Sequence, residues 1–464
     1  MDRTALVIES RNTGSGVMLK YIFYLLFILL APFLGVRILF LLTFVFLLGL
    51  KFSGKTSFRI RSMKNLAFSM SLLLLISVLF EGLAFSFPLY IVLGAFAISA
   101  ISAVEEHVSY FTETRRSKKG SAFENIPSTG PEGKETGYSL FRSSAFLGLR
   151  ILAAFLAACW VIHWQSLPVS CNLVFFIAVI GAITGSLFES IPSGIDRKIS
   201  VPLGAGMTMW IFEEFRYWVP PEKMLVALGF SLLLGCLAYR AKIADTSALL
   251  SAALLGVLII VFSGLSWYVL LLAFFILGGG FTKYRYRYKE SIGIAQEKGG
   301  IRSYENVFSN STAALVLAIA YGVFPEHGTT IVYAYLGTVA TATGDTLASE
   351  IGTTAKGRPR MITTLKPAVP GVDGAVSGLG ELAALFGSGL IGLLAYALGI
   401  SDDLTLSILL TTAGGFLGTN VDSLLGATFQ KRGLLSNSGV NFVATFAGAA
   451  ISGALYLLLG GLYS

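Results

Sequence analysis

Charge is scarce in this chain: Asp, Glu, Lys and Arg supply 13% of 464 residues, against 55% hydrophobic residues and a mean hydropathy of +0.75. That leaves too little polar surface to coat a soluble domain of this size. Cysteine is rare too. Cys159, Cys171 and Cys236 are widely spaced, form no CxxC pattern and lie in or beside apolar runs, which reads as packing. The three histidines, His107, His163 and His327, are too scattered for a zinc site. A Walker A order is missing. Strand-like alternation is missing from runs such as Leu72 to Phe80 and Trp267 to Leu277, which excludes an outer-membrane barrel.

What is there is bilayer material. Apolar runs of roughly 17 to 25 residues, each long enough to cross a core about 30 Å thick as a helix, recur from Lys20 onward, roughly 14 or 15 of them. The fold class is all-α: a polytopic transmembrane bundle of about 14–15 helices. The first residues lack a small-residue cleavage site before two closely spaced apolar runs, so no removable signal peptide is read. The net charge of +8 is no nucleic-acid signal. Its basic clusters, among them Lys51 to Lys64, Arg115 to Lys119, Lys283 to Lys298 and Lys356 to Lys366, can all lie on one face with two spans between neighbours. That predicts a cytoplasmic N-terminus and an outside C-terminus. The bilayer is the partner this implies; no protein partner is evident.

Three regions are expected: an N-terminal hairpin at 1–65, a membrane half at 66–240 with a flexible cytoplasmic loop at 105–142, and a membrane domain at 241–464. Two segments starting at Gly181 and Gly414 resemble each other. Each has glycines along an apolar helix, an acid next to serine (Glu189–Ser190, Asp422–Ser423), then a Gly/basic connection. The likeness raises internally repeated halves. A Tyr/Arg/Lys-rich stretch from Thr282 to Asn310, broken at Gly299 and Gly300, reads either as a headgroup anchor or as a substrate contact.

The chemistry concentrates between Gly344 and Gly380. Thr341, Asp345 and Ser349 share one helix face, while Glu350 points elsewhere. An ionised carboxylate at membrane depth costs about 3 kcal/mol or more. Asp345 therefore needs a partner: a Mg²⁺ bridging it to nucleotide phosphates, with Asp422 or Glu350 as second ligand, or a nearby lysine or a wet boundary. Lys356, Arg358, Arg360 and Lys366 follow, then a loop in which Gly371 and Gly374 let backbone amides approach an anion. Ser377 stands where a new helix would begin. Lys366 is expected to neutralise charge on a transferred phosphoryl group.

These residues resemble the integral membrane family called domain of unknown function 92, which includes transmembrane protein 19 and the plant phytyl-phosphate kinases. The matching pieces are KESIGIAQEKGGIRSYENVFSN, ATATGDTLASEIG, RPRMITTLKPAVPGVDGAVSGLG and GTNVDSLLGATFQ, about half the chain. ESIPSGIDRKISVPL, from Glu189, resembles an element of the more distant CTP-dependent polyprenol kinases. The resemblance implies a kinase, a transferase with CTP as phosphoryl donor, Mg²⁺ as cofactor and an isoprenoid alcohol or monophosphate as acceptor. Carried onto this sequence it makes Asp345 and Lys366 catalytic, and Asp345, Glu350 and Asp422 metal ligands. Arg302, Asn306, Asn310, Arg360, Lys366, Gly371, Gly374 and Ser377 would hold nucleotide or phosphate. The chain departs from the relatives at Val372 and Asp373, at Asp196–Lys198 and at SNSGVNF (Ser436 to Phe442), which lacks an expected acid. Two rival functions stand beside the kinase: a transporter with repeated halves and a lipid cytidylyltransferase.

Overall fold

In hydrocarbon every backbone N–H and C=O must find its partner inside the segment, and the apolar runs accordingly fold as helices. The computed structural model describes residues 3–52, 58–82, 85–120, 132–191, 196–295 and 300–460. The chain divides into two compact units, Met1–Glu222 and Lys223–Ser464. Among the described residues ten helices are long and apolar enough to cross a membrane, with two shorter apolar helices, Leu89–Glu105 and Thr246–Phe262. The protein is an integral, multi-pass membrane protein.

The first unit holds α1 (Arg3–Phe52), α2 (Phe58–Gly82), α3 (Leu89–Gly120), α4 (Glu132–Trp164), α5 (Cys171–Ser190) and α6 (Arg197–Glu214). Gly35, in the left-handed region at φ 71°, breaks α1 three residues after Pro32. The segment read as a loop at 105–142 is helical on both flanks, where Glu, Lys and Arg favour helix; its middle, 121–131, lies outside the described residues. Pro192 to Ile195 of the polyprenol-kinase-like element and the Lys298–Gly299 step of the basic stretch lie outside them too. α5 packs against α6 and α4.

The second unit runs α7 (Pro221–Arg240), α8 (Thr246–Phe262), α9 (Leu265–Lys283), a six-residue α10 (Tyr286–Ser291), α11 (Tyr304–Val323), α12 (Gly328–Gly352), α13 (Gly378–Ala397), α14 (Leu404–Leu425) and α15 (Asn437–Gly460). Its centre is α12, which packs on α9, α11, α13, α14 and α15. Every residue from Ile331 to Gly344 is buried, so Thr and Gly replace bulky side chains there. The neighbours come close because they are small. A side chain added at Gly418 or Gly448 would collide with Thr341, and one at Gly415 with Ser388. Between α12 and α13 the chain makes a two-stranded antiparallel hairpin, β1 (Arg360–Met361) with β2 (Ala375–Val376), in the register Arg360↔Val376. α14 ends in a π turn, Gly426–Gln430, an irregularity common at functional sites.

Candidate functional site

In the second unit the end of α12, the hairpin loop, the end of α14 and the segments before α11 and α15 enclose a cavity of about 310 Å³. Asp345, Ser349 and Glu350 reach it from α12, Asp422 and Ser423 from α14, Arg302, Asn306 and Asn310 from the α11 entry, and Pro370 to Ser377 from the loop. Nine of the eleven residues expected to make a site thus share one cavity: Arg302, Asn306, Asn310, Asp345, Glu350, Gly371, Gly374, Ser377 and Asp422.

Arg360 and Lys366 are not among the residues lining it. Lys366 is exposed. Arg360, also exposed, donates from Nη1 to the Leu365 carbonyl at 3.1 Å. The turn from Met361 to Lys366, closed by Leu365 N–H to Met361 O at 2.8 Å and Met361 N–H to Lys366 O at 2.9 Å, carries both bases to the outside.

Two carboxylates carry the site. Asp345 and Asp422 face each other at hydrogen-bonding range across α12 and α14, with Asp373 and Glu350 adding further negative charge nearby. Neither Asp345 nor Asp422 is in an ion pair among the described residues. With its amide turned over, the orientation its neighbours call for, Asn441 donates to Asp422 Oδ2 at 3.1 Å and to the Asn437 carbonyl at 3.3 Å. Adjacent carboxylates repel unless a proton or a cation lies between them. Among the described residues no group of three or more His, Cys, Asp or Glu is placed to hold a metal alone. Two carboxylates open to a cavity match the habit of Mg²⁺, which completes its shell with water and substrate oxygens.

Glu350 differs from the expected ligand. Its carboxylate accepts from Lys289 Nζ, a buried ion pair. Lys289 also donates to the carbonyls of Thr282 at 2.9 Å and Phe281 at 3.3 Å, capping the C-terminal end of α9. Of the three cations expected at the site, Arg302 lines the cavity and Arg360 and Lys366 do not; Lys289, which was not expected there, lines it as well.

Arg302 is held by backbone and rings. Its N–H donates to Ile243 O at 2.8 Å and its carbonyl accepts from Asp245 N–H at 2.9 Å. The guanidinium lies 5.1 Å from the Phe274 ring centre and 5.6 Å from that of Phe275. Gly278 leaves room for it, since a side chain there would strike the guanidinium. Arg302 is only 9% exposed, yet among the described residues its guanidinium has no hydrogen bond or ion pair. Burial holds it below its ordinary range, to about 10, against the pull of Glu350, so it stays charged at neutral pH. Asn306 is partly occupied, its Oδ1 accepting from Ser303 N–H at 3.1 Å in the capping box of α11. Asn310 donates to the Asn306 carbonyl at 2.9 Å.

The loop is shaped by two left-handed glycines, Gly371 (φ 84°) and Gly374 (φ 76°). A side chain at Gly374 would also meet the Ser423 carbonyl at 2.7 Å, so the loop lies directly on the end of α14. Ser377 does cap a helix: its hydroxyl accepts from Gly380 N–H and donates to Gly352 O, both at 3.1 Å. Asp373, Glu381, Asn437 and Asn441 also line the cavity and were not singled out as site residues. For Asn441 the signal was the SNSGVNF segment, which lacks an expected acid.

The first unit's acids have other partners. Glu189 and Glu105, the latter at 2.6 Å, both pair with the buried Arg150, which also donates to Ser186. Asp196 caps α6 by accepting from Lys198 N–H at 2.9 Å.

The family model of the integral membrane protein DUF92 matches residues 229–449, all in the second unit. An uncharacterized membrane protein of Methanocaldococcus jannaschii is 33% identical over 250 residues, covering 52% of this chain and 99% of its own length. One from Synechocystis is 38% identical over 200 residues, 42% of this chain and 76% of its own. Protein VTE6, chloroplastic, of Arabidopsis thaliana is 30% identical over 216 residues, 45% and 64% respectively. No solved structure matches. The chain belongs to the DUF92 integral membrane protein family.

Proposed function

We propose that this DUF92 family member is a membrane-embedded kinase that transfers the terminal phosphoryl group of CTP to an isoprenoid monophosphate or alcohol. One observation carries the reading. Among the described residues, a buried guanidinium with no hydrogen bond or ion pair and two facing carboxylates with no cation at ion-pair distance share one cavity. Such a pairing of unmatched charges suits a ligand that brings phosphate on one side and a divalent ion on the other. The resemblance of the matched motifs to the family that includes the plant phytyl-phosphate kinases supports the isoprenoid class.

In this reading Asp345 and Asp422 would hold Mg²⁺, which when bound neutralises phosphate charge and favours departure of the nucleoside diphosphate. Arg302 anchors phosphate oxygens. The backbone of Gly371 and Gly374 approaches the same group closely, as only glycine allows at those angles. Lys289 holds Glu350 and so keeps that carboxylate from competing for Arg302. The acceptor oxygen forms a bond to the terminal phosphorus as the bond to the bridging oxygen breaks, and CDP leaves with the electron pair. A phosphate acceptor arrives already anionic; an alcohol would pass its proton to a carboxylate such as Asp373.

Incubating purified protein with labelled CTP, Mg²⁺ and geranylgeranyl phosphate tests this. CDP with a prenyl diphosphate is the expected outcome. Pyrophosphate release would make the protein a cytidylyltransferase, and no nucleotide turnover with any prenyl acceptor would return it to the carriers.

A further inference from the structure

The hairpin loop carries four cations that the cavity does not use. Lys356, Arg358, Arg360 and Lys366 are all exposed, and none is in an ion pair among the described residues. From Thr353 to Val372 the sequence holds no acid. Four like charges in a stretch stiffened by Pro359, Pro367 and Pro370 repel one another unless something anionic lies outside. Two apolar residues are also turned outward, Leu365 beside Lys366 and Val369 three residues after it, 66% and 68% exposed.

Leu365 adopts φ 56°, a left-handed conformation that glycine or asparagine takes at lower cost. A leucine there gains nothing by facing water. The loop leads straight into α13, a candidate membrane span, on which Leu379, Leu382 and Phe386 are exposed along one face. That stripe marks where hydrocarbon begins, immediately after the loop.

We propose that the outer edge of this loop is a docking surface for anionic lipid headgroups of the surrounding bilayer. Its four cations meet headgroup phosphates and Leu365 and Val369 enter the interfacial layer. The combination of cations with outward apolar side chains favours a lipid over a soluble nucleotide, which would leave Leu365 and Val369 in water.

The test places a fluorophore at Leu365→Cys, in a chain whose three native cysteines are replaced by serine, and quenches it with nitroxide-headgroup lipid. Vesicles are phosphatidylcholine alone or phosphatidylcholine with phosphatidylglycerol. Quenching should rise about twofold with phosphatidylglycerol and fall back at about 1 M salt. The Lys356→Gln, Arg358→Gln, Arg360→Gln, Lys366→Gln variant should lose that rise. Equal quenching in the two vesicles overturns the proposal without needing the variant, and so does a rise that CTP abolishes. Because no turnover is measured, the result stands apart from the fate of the kinase reading.

Discussion

Both units bury acids, and they treat them oppositely. In the first unit Glu189 and Glu105 converge on Arg150, while Glu213 accepts from Tyr90 Oη at 2.7 Å and pairs with Arg216 at 3.3 Å. In the second, Asp345 and Asp422 meet each other, and among the described residues the nearby cation Arg302 meets no acid at ion-pair distance. Glu189 and Asp422 occupy matching places in the two similar segments, each an acid followed by serine near the end of a glycine-bearing helix. A satisfied charge builds structure; unmatched charges facing a cavity are what a ligand would complete.

The sharpest way to break this contrast is to remove the cation of the first unit. Arg150→Met takes a buried cation away from two half-buried carboxylates and should cost about 3 kcal/mol, the low end for breaking a buried pair, seen as a lower unfolding temperature in detergent. An unchanged melt would mean the cluster is not what holds those helices together. In the second unit the same operation should have the opposite sign for folding. Asp345→Asn relieves repulsion, so the variant should melt no lower than wild type, while under the proposed kinase function CTP turnover should fall at least about a hundredfold, the scale expected if Asp345 holds the metal. Retained turnover would remove Asp345 from the chemistry. The mildest probe is Gly278→Ala, whose methyl group pushes the Arg302 guanidinium aside. We expect a KM for CTP raised about tenfold, near 1.4 kcal/mol, with kcat little altered. A change in kcat alone would argue that Arg302 acts on the transition state and not on binding.

Much of this was legible in the sequence because some signals are local. Apolar length alone announces the helices, an aspartate inside such a run stands out, and Ser377 before GLGE reads as a cap. The direction of a charged side chain leaving a loop is not local. Lys366 sits beside the Gly turn in sequence, yet the Met361–Lys366 turn points it away, and nothing in the order of residues encodes that. Lys289 was hidden for the opposite reason. It lies among Tyr and Arg in a stretch that resembles any interfacial anchor, and only the fold reveals that it is buried between α9 and α12. α12 becomes one of the most enclosed helices because its neighbours are trimmed to glycine, a packing that no single run of residues announces.

The capping of α9 by Lys289 has a mechanical corollary. Were an incoming anion to draw this ammonium away, two terminal carbonyls and a buried carboxylate would each lose one bond, so three losses accompany one gain. Lys289 is in that sense a rivet, fixed for the life of the folded chain. Arg302, resting on aromatic faces that ask for no directed bond, would give up no hydrogen bond of its guanidinium among the described residues to meet an anion.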